Sequence, residues 1–172
     1  MKKTTDWLLL GSIVLLGAAL VWVVGGTLQP KITNAGDTAP NFKVLADDGK
    51  TITRSDFGGK LLVLNFWASW CPPCVAETPS LEQFAKEFAP QGVVVVGVSS
   101  DTNADRYHQF IKRYGISFET AMDPSADISA SYGTFQIPET YIIDRNGKVL
   151  EKVISDQNWM DPEFLARIRK ML

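Results

Sequence analysis

Cysteine and histidine are almost absent from this 172-residue chain, which holds two cysteines, Cys71 and Cys74, and one histidine, His108. Two thiols so close in sequence cannot build the disulfide framework of a small secreted domain, because a bridge between them closes almost no loop and removes little chain entropy. Cysteine and histidine are also too few to supply the four ligands of a structural zinc site. With 17 basic and 19 acidic side chains the net charge is -2, and no basic run or basic stripe interleaved with aromatics occurs. That excludes the electrostatic footprint of a nucleic-acid binder. Internal repeats and low-complexity tracts are missing too, and most of the chain has the length of one domain.

What the chain does have is one long hydrophobic run. Residues 7–28, WLLLGSIVLLGAALVWVVGGTL, carry no charge, and a helix of that length rises roughly 33 Å, enough to cross a bilayer core. The length favours an uncleaved anchor over a cleaved signal, which would have a shorter apolar core and an A-x-A-like exit in place of Val24-Gly25-Gly26-Thr27. Lys2 and Lys3, partly offset by Asp6, outweigh Lys31 on the far side. The positive-inside rule then leaves 1–6 in the cytoplasm and sends the remainder to the periplasm or an equivalent extracytoplasmic side. The expected organisation is a cytoplasmic N-terminus (1–6), a transmembrane anchor (7–28), a polar linker (29–38) and a folded domain (39–172).

Within that domain, two short alternating runs from Asn41 to Thr53 flank Asp47-Asp48-Gly49-Lys50 and predict a hairpin, with Asp47-Asp48 as turn residues. Leu61–Trp67 and Val93–Val98 are apolar runs without alternation, as buried parallel strands are. Between them Pro72–Phe88 carries a helical stripe, with Pro79 expected to kink it. A second helix fits Asn103–Tyr114, and a third is expected to start at Asp123-Pro124. Thr140–Asp144 and Val149–Ile154 flank Asn146-Gly147, a hairpin signal, and Asp161-Pro162 caps a last helix. The order is hairpin, βαβαα, ββα: an α/β chain with a mixed central sheet and helices for both faces. Sites in such sheets gather where strands end and helices begin.

Both thiols fall at such a place, in Trp70-Cys71-Pro72-Pro73-Cys74. A Cys71 at the helix N-cap faces the positive end of the macrodipole, which favours its thiolate and makes it the candidate nucleophile. Cys74, one turn on, can attack a mixed disulfide formed at Cys71 and release the product. Of the two N–H groups an N-cap side chain usually accepts from, the one at Pro73 does not exist. Either this leaves the Cys71 thiolate less stabilised and tilts the pair towards a reductant, or Pro72 and Pro73 only rigidify the turn. Trp70 either shields the thiols or belongs to the core, as Trp67 does, and His108 reads as a solvated helix residue. Glu77, three residues after Cys74, reads by position alone as an exposed glutamate helping the early helix dipole.

The stretch Phe66-Trp67-Ala68-Ser69-Trp70-Cys71-Pro72-Pro73-Cys74 closely resembles the thioredoxin active site. With Cys74-x-x-Glu77-x-Pro79, the anchor and the N-terminal hairpin, the chain is similar to membrane-anchored thiol:disulfide interchange proteins of the TlpA, ResA and CcmG/DsbE type, from about Gly36 to the C-terminus. The resemblance implies a thioredoxin fold with an added N-terminal β-hairpin, in which Cys71 attacks and Cys74 resolves. It makes Pro138, in Gln136-Ile137-Pro138-Glu139-Thr140, a cis-proline facing the disulfide. Ile137 would contact the substrate backbone, with Trp70, Pro72 and Pro73 beside it, and surface residues around Ile137 and Glu139 would select the partner. Where thioredoxin carries a buried aspartate this chain has Asn65, which cannot take a proton, and Glu77 is the available substitute.

The implied activity is reduction of client protein disulfides, apocytochrome c among the family's clients, with electrons from a transmembrane donor of the DsbD or CcdA type. No cofactor and no metal are expected. The rivals are a disulfide-forming oxidase built from the same residues and a Cu(I)-binding assembly module using Cys71 and Cys74. The peroxidase pattern Pro-x-x-x-Thr-x-x-Cys is absent.

Overall fold

The computed structural model describes residues 2–27 and 32–172, with side chains in the first helix described only at Trp7 and 11–23. The chain divides into two compact units, Met1–Lys31 and Ile32–Leu172. The described residues of the first form the helix α1 (Lys2–Thr27), whose described side chains are exposed. Among the described residues no helix is long and apolar enough to cross a membrane. The expected span over 7–28 lies partly outside them.

The second unit begins with residues of the expected linker laid along the domain: the Thr33 N–H donates to the Tyr132 carbonyl and the Gly36 N–H to that of Val149. The expected hairpin follows as β1 (Lys43–Leu45) and β2 (Thr51–Thr53), paired antiparallel. The main sheet has the order β5-β4-β3-β6-β7. Its members are β3 (Leu61–Trp67), β4 (Val93–Ser99), β5 (Glu119–Met122), β6 (Glu139–Ile143) and β7 (Val149–Ile154). β4 runs parallel to both β3 and β5, while β6 is antiparallel to β3 and β7 to β6. Central β3 is buried along its whole length, which explains its unbroken apolar run.

Successive β3 residues point to opposite faces and meet different partners. Leu61 and Val63 pack with Leu81, Phe84 and Phe88 of α2 (Pro72–Phe88) and with Phe164 and Ile168 of α5 (Pro162–Met171). Leu62, Leu64 and Phe66 pack with Phe42, Val44 and Ile52 of the hairpin region and with Tyr132, at the end of α4 (Asp127–Tyr132). α3 (Ala104–Tyr114) sends Tyr107 and Phe110 into a third cluster with Trp67, Cys71 and Cys74.

Two elements differ from expectation. β5, with the sequence ETAM, carries no strand signal of its own and forms because β4 offers it a parallel edge. α4 starts at Asp127 rather than at Asp123-Pro124: the chain first turns, the Ala126 N–H donating to the Asp123 carbonyl. Asp123 still acts as a cap, its Oδ2 accepting from the Ile128 N–H at 2.8 Å. Asp47 also does more than turn the hairpin, because its Oδ2 accepts from the Tyr107 hydroxyl and the Thr120 hydroxyl, both at 2.7 Å, and ties the hairpin to α3 and β5.

Candidate active site

At the C-terminal end of β3 the chain passes through Ala68-Ser69-Trp70 into α2. Asp101, just beyond β4 and 1% exposed, holds this link, since its carboxylate accepts from the Ser69 N–H at 2.8 Å and from the Ser69 hydroxyl at 2.7 Å. Cys71 is the N-cap of α2 and is joined to Cys74 by a disulfide. Its sulfur accepts from the Cys74 N–H at 3.3 Å, and no second helix N–H reaches it. Pro72 and Pro73, occupying the first two helical positions, have none to give. Both sulfur-bearing residues are buried, Cys71 at 3% exposure and Cys74 at 1%. Trp70 is 62% exposed at their side, so it belongs to the surface and not to the core, whereas Trp67 is buried.

The loop before β6 closes over this end of α2. The Ile137-Pro138 peptide bond is cis, and the Ile137 carbonyl oxygen lies 3.6 Å from the Cys71 sulfur. Pro138 is buried and Ile137 half-buried. The structure thus brings the Cys71–Cys74 disulfide and the Ile137-Pro138 bond together. Glu139 does not join them at the surface. It is fully buried, its Oε1 bound by Lys152 at 3.0 Å, by the Thr134 hydroxyl at 2.7 Å and by the Tyr141 hydroxyl. Glu139 itself is therefore no part of the surface around this loop.

Below the disulfide lies Glu77, only 3% exposed, which rules out a solvated helix-dipole glutamate. Its Oε1 accepts from Asn65 Nδ2 at 2.9 Å, and its Oε2 accepts from the Gln157 N–H and from Trp159 Nε1, each at 3.2 Å. Asn65 also donates to the Thr140 hydroxyl at 2.8 Å, which links Glu77 to the strand after Pro138. Burial raises the Glu77 pKa against the opposing pull of these donors, from the ordinary 4.5 to about 7. A carboxyl group so poised exchanges a proton near neutrality, as a buried thiol one turn away requires. Its partners Gln157 and Trp159, and Thr140 beyond Asn65, carry no motif in the sequence. Only the buried strand position of Asn65, facing α2, hints at them.

Among the described residues no three His, Cys, Asp or Glu side chains converge as a metal site. His108 lies exposed on α3.

Residues 35–152 match the AhpC/TSA family. The chain is 36% identical over 159 residues to the thiol-disulfide oxidoreductase ResA of Oceanobacillus iheyensis, covering 88% of this chain and 83% of that one. It is 34% identical to ResA of Bacillus thuringiensis subsp. konkukian, covering 77% and 78%. A Chlorobium tepidum structure described as a thiol:disulfide interchange protein DsbE superposes with a TM-score of 0.75 at 30% identity, covering 81% of this chain and 98% of that one.

Proposed function

Because the chain belongs to the AhpC/TSA family and stands there among thiol-disulfide oxidoreductases of the ResA and DsbE type, we propose that this oxidoreductase works outside the cytoplasm as a reductant of client protein disulfides. The observation that carries the proposal is the Cys71–Cys74 disulfide at the N-terminus of α2, above a buried Glu77 whose pKa is about 7.

In the reduced enzyme the Cys71 thiolate attacks one sulfur of the client disulfide. A mixed disulfide forms, and the client's other sulfur leaves as a thiolate that takes up a proton. Cys74 then gives its proton to Glu77 and attacks the Cys71 sulfur. The client's second thiolate departs, leaving the client reduced by two electrons and the enzyme oxidised. The Ile137 carbonyl and Pro138 border the path of attack, and Trp70, Pro72 and Pro73 form its rim. A reducing direction is supported by the single N–H directed at Cys71, which stabilises its thiolate less than two would.

The same proposal anchors the protein through residues 7–28 with the domain on the extracytoplasmic side. The uncharged run and the two lysines before it support this. A reductant placed there draws its electrons from a transmembrane dithiol carrier of the DsbD or CcdA type, because cytoplasmic thiol pools do not reach it. Apocytochrome c, whose haem-attachment cysteines must be reduced, is the client class the family resemblance favours.

Trapping tests the assignment of the two cysteines. The reduced full-length chain carrying Cys74→Ser, in a nonionic detergent, is expected to form a covalent adduct with a disulfide-bonded client that dithiothreitol releases. Cys71→Ser is expected to form none; an adduct on Cys71→Ser in place of Cys74→Ser would reverse the roles.

A further inference from the structure

The chain has six arginines, at 54, 106, 113, 145, 167 and 169. Four have oxygen partners. Arg54 donates to the Ala39 and Gly147 carbonyls, Arg145 to the Leu172 carbonyl, and Arg167 and Arg169 pair with Glu151 and Glu87. Among the described residues, the guanidinium groups of Arg106 and Arg113 have no oxygen partner. Arg113 only lies beside the Tyr114 ring, 5.7 Å from its centre.

These two arginines line one groove of about 320 Å³, together with Ser69, Trp70, Gln109 and Phe110. They stand two turns apart on α3, roughly 10 Å along the axis, close enough for their long side chains to reach a common point between them. Phe110, 7% exposed, is the apolar floor, and exposed Trp70 is the wall next to Cys71. Asp101, the buried carboxylate that holds Ser69 of this groove, is occupied by Ser69 and by the Ser99 hydroxyl at 2.7 Å, and makes no ion pair with either arginine. A second groove on the other side of Trp70 is lined by Ser100, Ala126, Ser129, Thr134, Phe135, Gln136 and Ile137 and carries no charge. The surface around the disulfide is thus cationic on one flank and neutral on the other.

We infer that the Arg106–Arg113 groove is a specificity site that receives an acidic side chain, aspartate or glutamate, of the client segment next to the attacked cysteine. Arginine suits this task because its planar, permanently charged fork matches a carboxylate. The groove holds one or two side chains, and its wall is the residue adjoining Cys71. An acid bound there places the client's disulfide over the nucleophile. Steering by such a rim contact acts mainly on the encounter rate and weakens with salt.

This inference rests on the proposed client reduction, and the test separates the two. The reduced full-length chain in nonionic detergent is mixed with three synthetic peptides that share one intramolecular disulfide and carry Glu, Gln or Lys beside it. The second-order rate of peptide reduction is recorded. Wild type is expected to reduce the Glu peptide about fivefold faster than the Lys peptide relative to R106Q/R113Q. Comparison between enzymes cancels the effect of the flanking charge on the peptide's own thiols, and a ratio does not depend on the amount of folded variant. High salt should remove the preference, and R106E/R113E should invert it. Equal ratios in wild type and R106Q/R113Q overturn the inference while leaving client reduction intact, whereas failure to reduce any of the three peptides overturns both.

Discussion

Replacing Glu77 by Gln isolates the proton held beneath the disulfide. In the folded protein the Glu77 carboxyl has a pKa of about 7 where 4.5 is ordinary, so the native state keeps a proton that the unfolded chain has lost. The stabilisation from that proton is complete below pH 4.5 and disappears as pH rises through 7. At about 1.4 kcal/mol per pH unit the full effect is about 3 kcal/mol, most of it between pH 5 and pH 8. Glutamine carries no proton to lose. Its Nε2 can face Asn65 once that amide turns its oxygen inward, while its oxygen continues to accept from Gln157 and Trp159. Urea unfolding of the oxidised protein, in which neither thiol titrates, is the assay. Wild type is expected to lose about 3 kcal/mol relative to Glu77→Gln between pH 5 and pH 8, and the variant to be the more stable at pH 8. In the reduced enzyme Glu77→Gln should also slow release of the mixed disulfide by about 100-fold at pH 7. Parallel stability profiles for the two proteins would refute a buried, protonatable Glu77 and its role in the chemistry with it.

The remaining predictions concern the shell of the site. Asn65→Asp would set a second carboxylate where the amide now lies 2.9 Å from Glu77, and it should destabilise the oxidised protein by about 3 kcal/mol or more at pH 8 but less at pH 5; a pH-independent effect would contradict this. Gly97→Ala would bring a Cβ to 2.9 Å from Trp67 Nε1 and 3.1 Å from the Phe118 ring. Overpacking of that kind should cost about 1–3 kcal/mol in denaturant unfolding, and a neutral result would show that Trp67 moves freely.

Several elements were legible in the sequence for local reasons. α2 covers Pro72–Phe88 as expected, because a proline pair marks its start and apolar residues recur on one face. α5 follows its Asp161-Pro162 signal in the same way, Asp161 capping the N–H groups of Glu163 and Phe164. β5 was not legible, since Glu, Thr, Ala and Met carry no pattern and the strand is created by its neighbour. In the site, the cysteines and Pro138 lie in contiguous motifs. The burial of Glu77 depends instead on groups at 65, 157 and 159, drawn from a strand and a loop far apart in sequence. The fully buried Glu139 was equally hidden, because its cation, Lys152, comes from the next strand across the sheet.

The central claim is that the Cys71/Cys74 pair is poised to reduce, and the equilibrium reduction potential of the full-length chain against a dithiothreitol buffer at pH 7 tests it most directly. The account predicts a value near or below about -270 mV, in the range of thioredoxin, whereas a value near about -120 mV would make the protein a disulfide-forming oxidase and contradict it.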